Sequence, residues 1–114
     1  MKIIITENQR DKVIEKAVFK YLDKRNYVQL DINNNIYFVE NEGDEYAVIR
    51  YNKDDGWCGI SYELISFLSR LTSTEKSVIK GVIGRWVEDT LQMKVSNTHH
   101  TRHHQPAWLK IPYK

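Results

Sequence analysis

The chain has 114 residues, a net charge of +2, a hydrophobic fraction of 41% and a charged fraction of 28%; these values are typical of one globular domain and exclude a disordered chain. No apolar run approaches the ~20 residues that a membrane-spanning helix needs, and the single cysteine excludes an internal disulfide framework. We therefore expect one domain of a cytoplasmic protein, with residues 1–96 as a globular body and residues 97–114 as a basic tail rich in histidine.

The first predicted element is a helix from about Glu7 to Arg25. Apolar residues recur at helical spacing between Val13 and Leu22. The opposite side carries lysines spaced four residues apart: Lys12, Lys16, Lys20 and Lys24. Like charges at this spacing repel each other. We interpret these lysines as a solvated face rather than as a phosphate-binding stripe.

Residues 28–51 predict a three-stranded antiparallel meander. Val28, Leu30 and Ile32 alternate with polar residues, as in a half-buried strand. Further extended runs follow at 36–40 and 46–51, and turn residues such as the run of asparagines at 33–35 separate them. The loops between these runs are too short for the crossovers that parallel strands require.

A pair of helices is predicted next, from Ser61 to a tight turn at 72–74 and from there to about Met93. Thr72 and Glu75 have the spacing of a capping box that would start the second helix. The predicted fold is therefore α+β: an N-terminal helix, a three-stranded antiparallel meander, and a C-terminal helix-turn-helix pair with a basic tail. This order resembles a winged helix, in which the second helix of the pair would enter the DNA major groove.

Small residues mark a second face of that last helix, at Ser77, Gly81 and Gly84. Each glycine inside a helix costs about 1 kcal/mol relative to alanine, so we expect another backbone to approach closely here. Packing within the monomer and the interface of a homodimer are both consistent with this pattern.

All four histidines lie within six positions, 99–104. On a helix, His99 with His103 and His100 with His104 would have the i, i+4 spacing that can bind Zn²⁺. No acidic or cysteine ligand lies near them, and the proline at 106 argues against a helix. We expect no physiological metal site and no cofactor, and these four histidines are the candidate ligands if a metal does bind.

The same segment predicts contact with a polyanion. Residues 91–114 contain no acid and carry a charge of +4, whereas residues 1–90 carry −2. Lysine and arginine neutralise phosphates, imidazoles gain charge below about pH 6.5, and aromatic rings stack on bases. The candidate nucleic-acid contacts are Lys76, Lys80, Arg85, Lys94, His99, His100, Arg102, His103, His104 and Trp108. The alternative is that Trp108 packs back on the body and the remaining residues are simply solvated.

No enzymatic motif is present. Cys58 lacks a recognisable catalytic context, and the sequence contains no glycine-rich phosphate loop and no metalloprotease motif. We expect a non-enzymatic nucleic-acid-binding protein that makes mainly backbone contacts, with DNA favoured over RNA and no membrane partner. The alternative is a small protein–protein interaction module, either a homodimer or a binder of another protein.

Two stretches resemble small proteins encoded by tailed phages of marine bacteria. They are the opening MKIIITENQ and the run VIKGVIGRWVEDTLQMKVSNT, which contains the element Trp86-Val87-Glu88-Asp89 followed by Met93-Lys94-Val95. The resemblance covers about half of the chain. It implies a phage or metagenomic source and expression in a bacterial host cell, and it implies no particular activity.

Overall fold

The computed structural model describes residues 7–100 and 106–113 and shows an α+β fold in which three α-helices accompany a five-stranded mixed sheet. The elements in chain order are α1 (Glu7–Arg25), β1 (Val28–Ile32), β2 (Asn35–Val39), β3 (Ile49–Asn52), β4 (Trp57–Ile60), α2 (Tyr62–Thr72), α3 (Lys76–Leu91), β5 (Asn97–His100) and a 3₁₀ turn at Ala107–Leu109.

Helix α1 has the bounds that the apolar spacing predicts. Ile14, Val18 and Leu22 are buried at intervals of four residues, so one stripe of the helix faces the core. The helix is followed by Asn26, whose φ of +52° lies in the left-handed region that ends many helices.

The run of asparagines forms the turn between β1 and β2. Asn33 and Asn34 have φ of +50° and +64°, and Ile32 pairs with Asn35 across the hairpin. Two successive left-handed residues define the turn whose twist matches that of the flanking strands. The hairpin therefore follows from local sequence.

The predicted arrangement of a three-stranded meander followed by a C-terminal helix pair and a tail is wrong. The strand order is β1-β2-β3-β4-β5; the first three pairings are antiparallel, and β4 pairs with β5 in parallel. Residues 57–60 and 97–100, which were not predicted to be strands, form β4 and β5. Parallel pairing is possible because α2 and α3 together provide the long crossover that the short loops could not.

A winged-helix arrangement is excluded for the same reason, since the helix pair lies inside the crossover between two paired strands. The predicted capping box is also wrong. Thr72 is the last residue of α2, and its hydroxyl donates to the Leu68 carbonyl at 2.7 Å. Ser73 then reverses the chain with a φ of +51°, and Glu75 occupies the N-cap position of α3.

Among the described residues, two apolar clusters hold the layers together. The larger one joins the three helices to the inner face of the sheet, where Phe38, Ile49 and Ile60 are fully buried. The smaller one lies on the outer face, where Leu109 and Ile111 of the C-terminal segment cover the middle strands. Within the described ranges no helix combines the length and apolar character needed to cross a bilayer.

Candidate nucleic-acid interface

Helix α3 and strand β5 lie side by side, and together they carry five of the ten predicted contact residues: Lys76, Lys80, Arg85, His99 and His100. Gly84 of α3 packs against Thr98 of β5: a Cβ built on Gly84 would lie 2.6 Å from the Thr98 methyl group. The hydroxyl of Tyr51 donates to the Lys94 carbonyl at 2.7 Å, and the Glu88 carboxylate accepts from the Val95 N–H at 3.1 Å. These contacts fix the chain as it leaves α3 and enters β5.

Lys76 lies at the start of α3 and packs on Tyr62, the first residue of α2. Its ammonium group lies 4.7 Å from the centre of the Tyr62 ring and donates to the phenol oxygen at 3.1 Å. The nearby Ser66 hydroxyl and the contacts with Lys76 lower the pKa of Tyr62. Lys80, one turn further along α3, is half-buried, and Lys94 is exposed.

Arg85 differs from these lysines because it is ion-paired. Its Nε lies 3.4 Å from Oε1 of Glu15 on α1, and both side chains are partly exposed. Part of its charge is therefore balanced within the protein.

The two histidines of β5 point to opposite faces of the sheet, as alternate strand residues must. His99 is exposed on the outer face, and its ring stacks on Trp57 with 5.4 Å between centroids and 25° between planes. His100 is half-buried on the helix side, where its ring lies nearly parallel to that of Tyr62, with centroids 6.5 Å apart.

Trp108 contributes to packing on the outer face. Its ring meets Trp57 edge-on at 5.0 Å, and a Cβ on Gly59 would come within 2.2 Å of it. The guanidinium group of Arg50 lies 5.5 Å from the centre of the Trp57 ring and donates to the Trp108 carbonyl at 3.4 Å. Trp108 thus packs against Trp57, Arg50 and Gly59, and it remains only half-buried.

Trp57, Arg50 and Tyr62 were not among the predicted contact residues. Trp57 and Gly59 are two positions apart and would share one face of a strand. A glycine beside an aromatic residue on that face could have indicated room for another side chain to pack there. Their proximity to β5 and to the C-terminal segment depends on tertiary pairing, which local periodicity does not report.

The predicted metal ligands are divided between described and undescribed positions. His103 and His104 lie outside the described residues, as does the predicted phosphate contact Arg102. Among residues 7–100 and 106–113, no three His, Cys, Asp or Glu side chains come together as a metal site, and the metal candidate stays a prediction.

The three small residues of α3 have different surroundings. Gly84 is buried against Thr98, which accounts for the absence of a side chain. Gly81 is half-exposed, and a Cβ there would meet nothing closer than Nη1 of Arg85 at 4.0 Å. Ser77 is exposed. Packing within the described protein therefore explains the glycine at position 84, whereas a side chain would fit at Gly81.

Cys58 is enclosed between β4 and the helices. Burial raises the pKa of its thiol to about 12, so the thiol stays protonated at neutral pH. A protonated, buried thiol is a poor nucleophile.

The sequence matches no family model, no curated protein and no solved structure. The arguments that follow therefore depend on the residues and geometry of this chain alone.

Proposed function

We propose that this protein binds nucleic acid without catalysing a reaction, mainly through phosphate contacts on a surface that we call the α3–β5 surface. It comprises Lys76, Lys80 and Gly81 of α3, Lys94 beyond the end of α3, and His99 on the outer face of the edge strand β5. Duplex DNA is the favoured partner and RNA the alternative. A phage source and the cytoplasm of the bacterial host are part of the same proposal.

One observation carries the proposal. Within the described part of the chain, Lys76, Lys80 and Lys94 form no ion pair with a carboxylate, whereas Arg85, Lys53 and Lys110 each do. A lysine that lacks an internal counter-charge can release a counterion when it neutralises a phosphate, and this release is the main source of backbone affinity.

Gly81 supports the same surface. Because no neighbouring atom requires a glycine at this position, its cost in helix stability has no compensation in the described protein. A missing side chain beside Lys80 would let a phosphate backbone approach the helix closely. The exposed His99 ring, already supported by Trp57, offers a face on which a base can stack.

The test is a titration of labelled duplex DNA at several salt concentrations with Lys76→Gln/Lys80→Gln. We expect the slope of log Kobs against log salt to become less steep by about 1.8, because each phosphate contact contributes about 0.9. The matched control, Lys53→Gln/Lys110→Gln, makes the same change in net charge at lysines that are already ion-paired. An equal decrease of the salt slope in the two variants, or no binding by the unmodified protein, would refute the proposal.

Point variants are preferable to deletion of residues 97–114. That deletion would remove β5 from the sheet together with the buried Leu109 and Ile111. Loss of binding would then report loss of the fold.

A second candidate function is self-association or the binding of a host protein through the turn between α2 and α3. Leu71 is 58% exposed and Val78 is 40% exposed, and the open Gly81 lies one helical turn from Val78 on α3. Sedimentation velocity distinguishes the two candidates, because an apolar dimer should persist at high salt while phosphate binding should not.

A further inference from the structure

A second cationic surface lies on α1, the helix that packs beside α3. The side chains of Lys12, Lys16, Lys20 and Lys24, the lysine ladder, are all exposed. Among the described residues none of the four forms an ion pair with a carboxylate. Neighbouring lysines in the ladder repel each other at this spacing, and Asp23, which lines the same surface depression as Lys16, Lys20 and Lys24, offsets part of their charge.

Two acids of α1, Glu15 and Asp23, bond to side chains of the neighbouring helix α3. Oε1 of Glu15 lies 3.4 Å from Arg85 Nε, and Oδ1 of Asp23 accepts a hydrogen bond from Trp86 Nε1 at 2.9 Å. Both partners belong to α3, so these two carboxylates are held toward the neighbouring helix. Asp11 precedes Lys12 by one residue and lies about 100° around the helix from it.

The geometry of the ladder suits a regular array of phosphates. Twelve residues separate Lys12 from Lys24, which corresponds to about 18 Å along the helix axis. Successive lysines at i, i+4 are also rotated by about 40°, so the ends of the ladder point about 120° apart. A helix that carries cations over such an arc can reach phosphates on both sides of a groove. Over the same 18 Å, duplex DNA presents about ten phosphate charges.

The structure disfavours a membrane as the partner of the ladder. A helix that binds a lipid surface inserts an apolar face below the headgroups. The apolar stripe of α1, with Ile14, Val18 and Leu22, is buried in the protein core and is not available for insertion. The B-DNA major groove, about 12 Å wide, admits an α-helix, whereas the deep and narrow major groove of duplex RNA does not.

We propose that the outer face of α1 is an independent, sequence-nonspecific contact for the phosphate backbone of duplex DNA, made by Lys12, Lys16, Lys20 and Lys24. The contact holds whether or not the α3–β5 surface binds. A protein with both surfaces could hold two duplex segments at once.

The experiment compares four variants that each remove two positive charges from the full chain. They are Lys16→Gln/Lys20→Gln and Lys12→Gln/Lys24→Gln in the ladder, Lys76→Gln/Lys80→Gln on the α3–β5 surface, and the ion-paired control Lys53→Gln/Lys110→Gln. Fluorescence anisotropy with a labelled duplex of mixed sequence is recorded at several salt concentrations, and thermal melting confirms that each variant folds. We expect the ladder variant to lose about 1.8 from the salt slope, the control to lose none, and Lys12→Gln/Lys24→Gln to behave like the first ladder variant.

The outcomes separate the two surfaces. If only the ladder variants lose salt slope, the result supports the ladder contact and refutes the α3–β5 surface. If only the α3 variant loses salt slope, the result supports the α3–β5 surface and refutes the ladder contact. The ladder contact is overturned if the control loses as much slope as the ladder variants. Equal or tighter binding of duplex RNA also overturns it, and so does ladder-dependent binding of vesicles of anionic phospholipid without binding of duplex DNA.

Discussion

The two glycines of α3 allow a sharp test of the packing at the α3–β5 surface. Gly84→Ala would place a methyl group 2.6 Å from the Thr98 Cγ2 atom, whereas the nearest neighbour of a methyl group at Gly81 is 4.0 Å away. Alanine in place of a helix-interior glycine gains about 0.5–1 kcal/mol. Overpacking costs about 1–3 kcal/mol.

Gly81→Ala should therefore stabilise the protein by about 0.5–1 kcal/mol, since the added methyl group meets open space. In Gly84→Ala the gain in helix propensity is offset by the clash with Thr98, and we expect a net destabilisation of about 1 kcal/mol. A change of 1 kcal/mol corresponds to a shift of about 4 °C in Tm for a domain of this size. Urea unfolding followed by far-UV circular dichroism measures both changes.

A double-mutant cycle isolates the contact. Thr98→Ser removes the methyl group that Gly84 faces, so the added alanine should be better tolerated in Gly84→Ala/Thr98→Ser, with a coupling energy of about 0.5 kcal/mol or more. Gly81→Ala/Thr98→Ser should show no coupling. If Gly81→Ala destabilises as strongly as Gly84→Ala, or if the cycle at Gly84 shows no coupling, the assigned packing of α3 against β5 is refuted.

Three further predictions follow from contacts elsewhere in the fold. Gly59→Ala should displace the ring of Trp108, whose nearest atom lies 2.2 Å from the added Cβ, and limited proteolysis should then release the C-terminal segment sooner than in the unmodified protein. Asp23→Ala leaves the Trp86 indole N–H without its acceptor and should cost about 1–3 kcal/mol in urea unfolding, whereas Asp23→Asn, which keeps an acceptor oxygen, should cost less. Burial raises the pKa of Cys58 from 9.0 to about 12, so the stability contributed by the neutral thiol is complete below pH 9 and is lost as pH rises toward 12. Cys58→Ala should therefore show a smaller loss of stability than the unmodified protein between pH 9 and pH 12, and an equal loss would contradict this assignment.

Local sequence determined the elements that depend on near neighbours. The apolar spacing of Ile14, Val18 and Leu22 predicts α1 with the bounds that the structure shows, because a helix is set by contacts three and four residues apart. Asn33 and Asn34 predict a tight turn because asparagine tolerates positive φ. The candidate cations of α3 are visible in the sequence, but whether each one has a counter-charge is not: Arg85 is paired with a residue 70 positions away.

Only the tertiary structure decided the extent of the sheet. Strand β5 contains no apolar residue, so it has no hydrophobic alternation that could predict it. Its parallel partner β4 is separated from it by two helices, and such non-local pairing depends on how those helices pack rather than on any local preference. The same step brings His99 onto Trp57 and Thr98 against Gly84. The sequence thus specifies the helices and the hairpin through short-range geometry, and long-range packing assembles the surfaces proposed to bind phosphate.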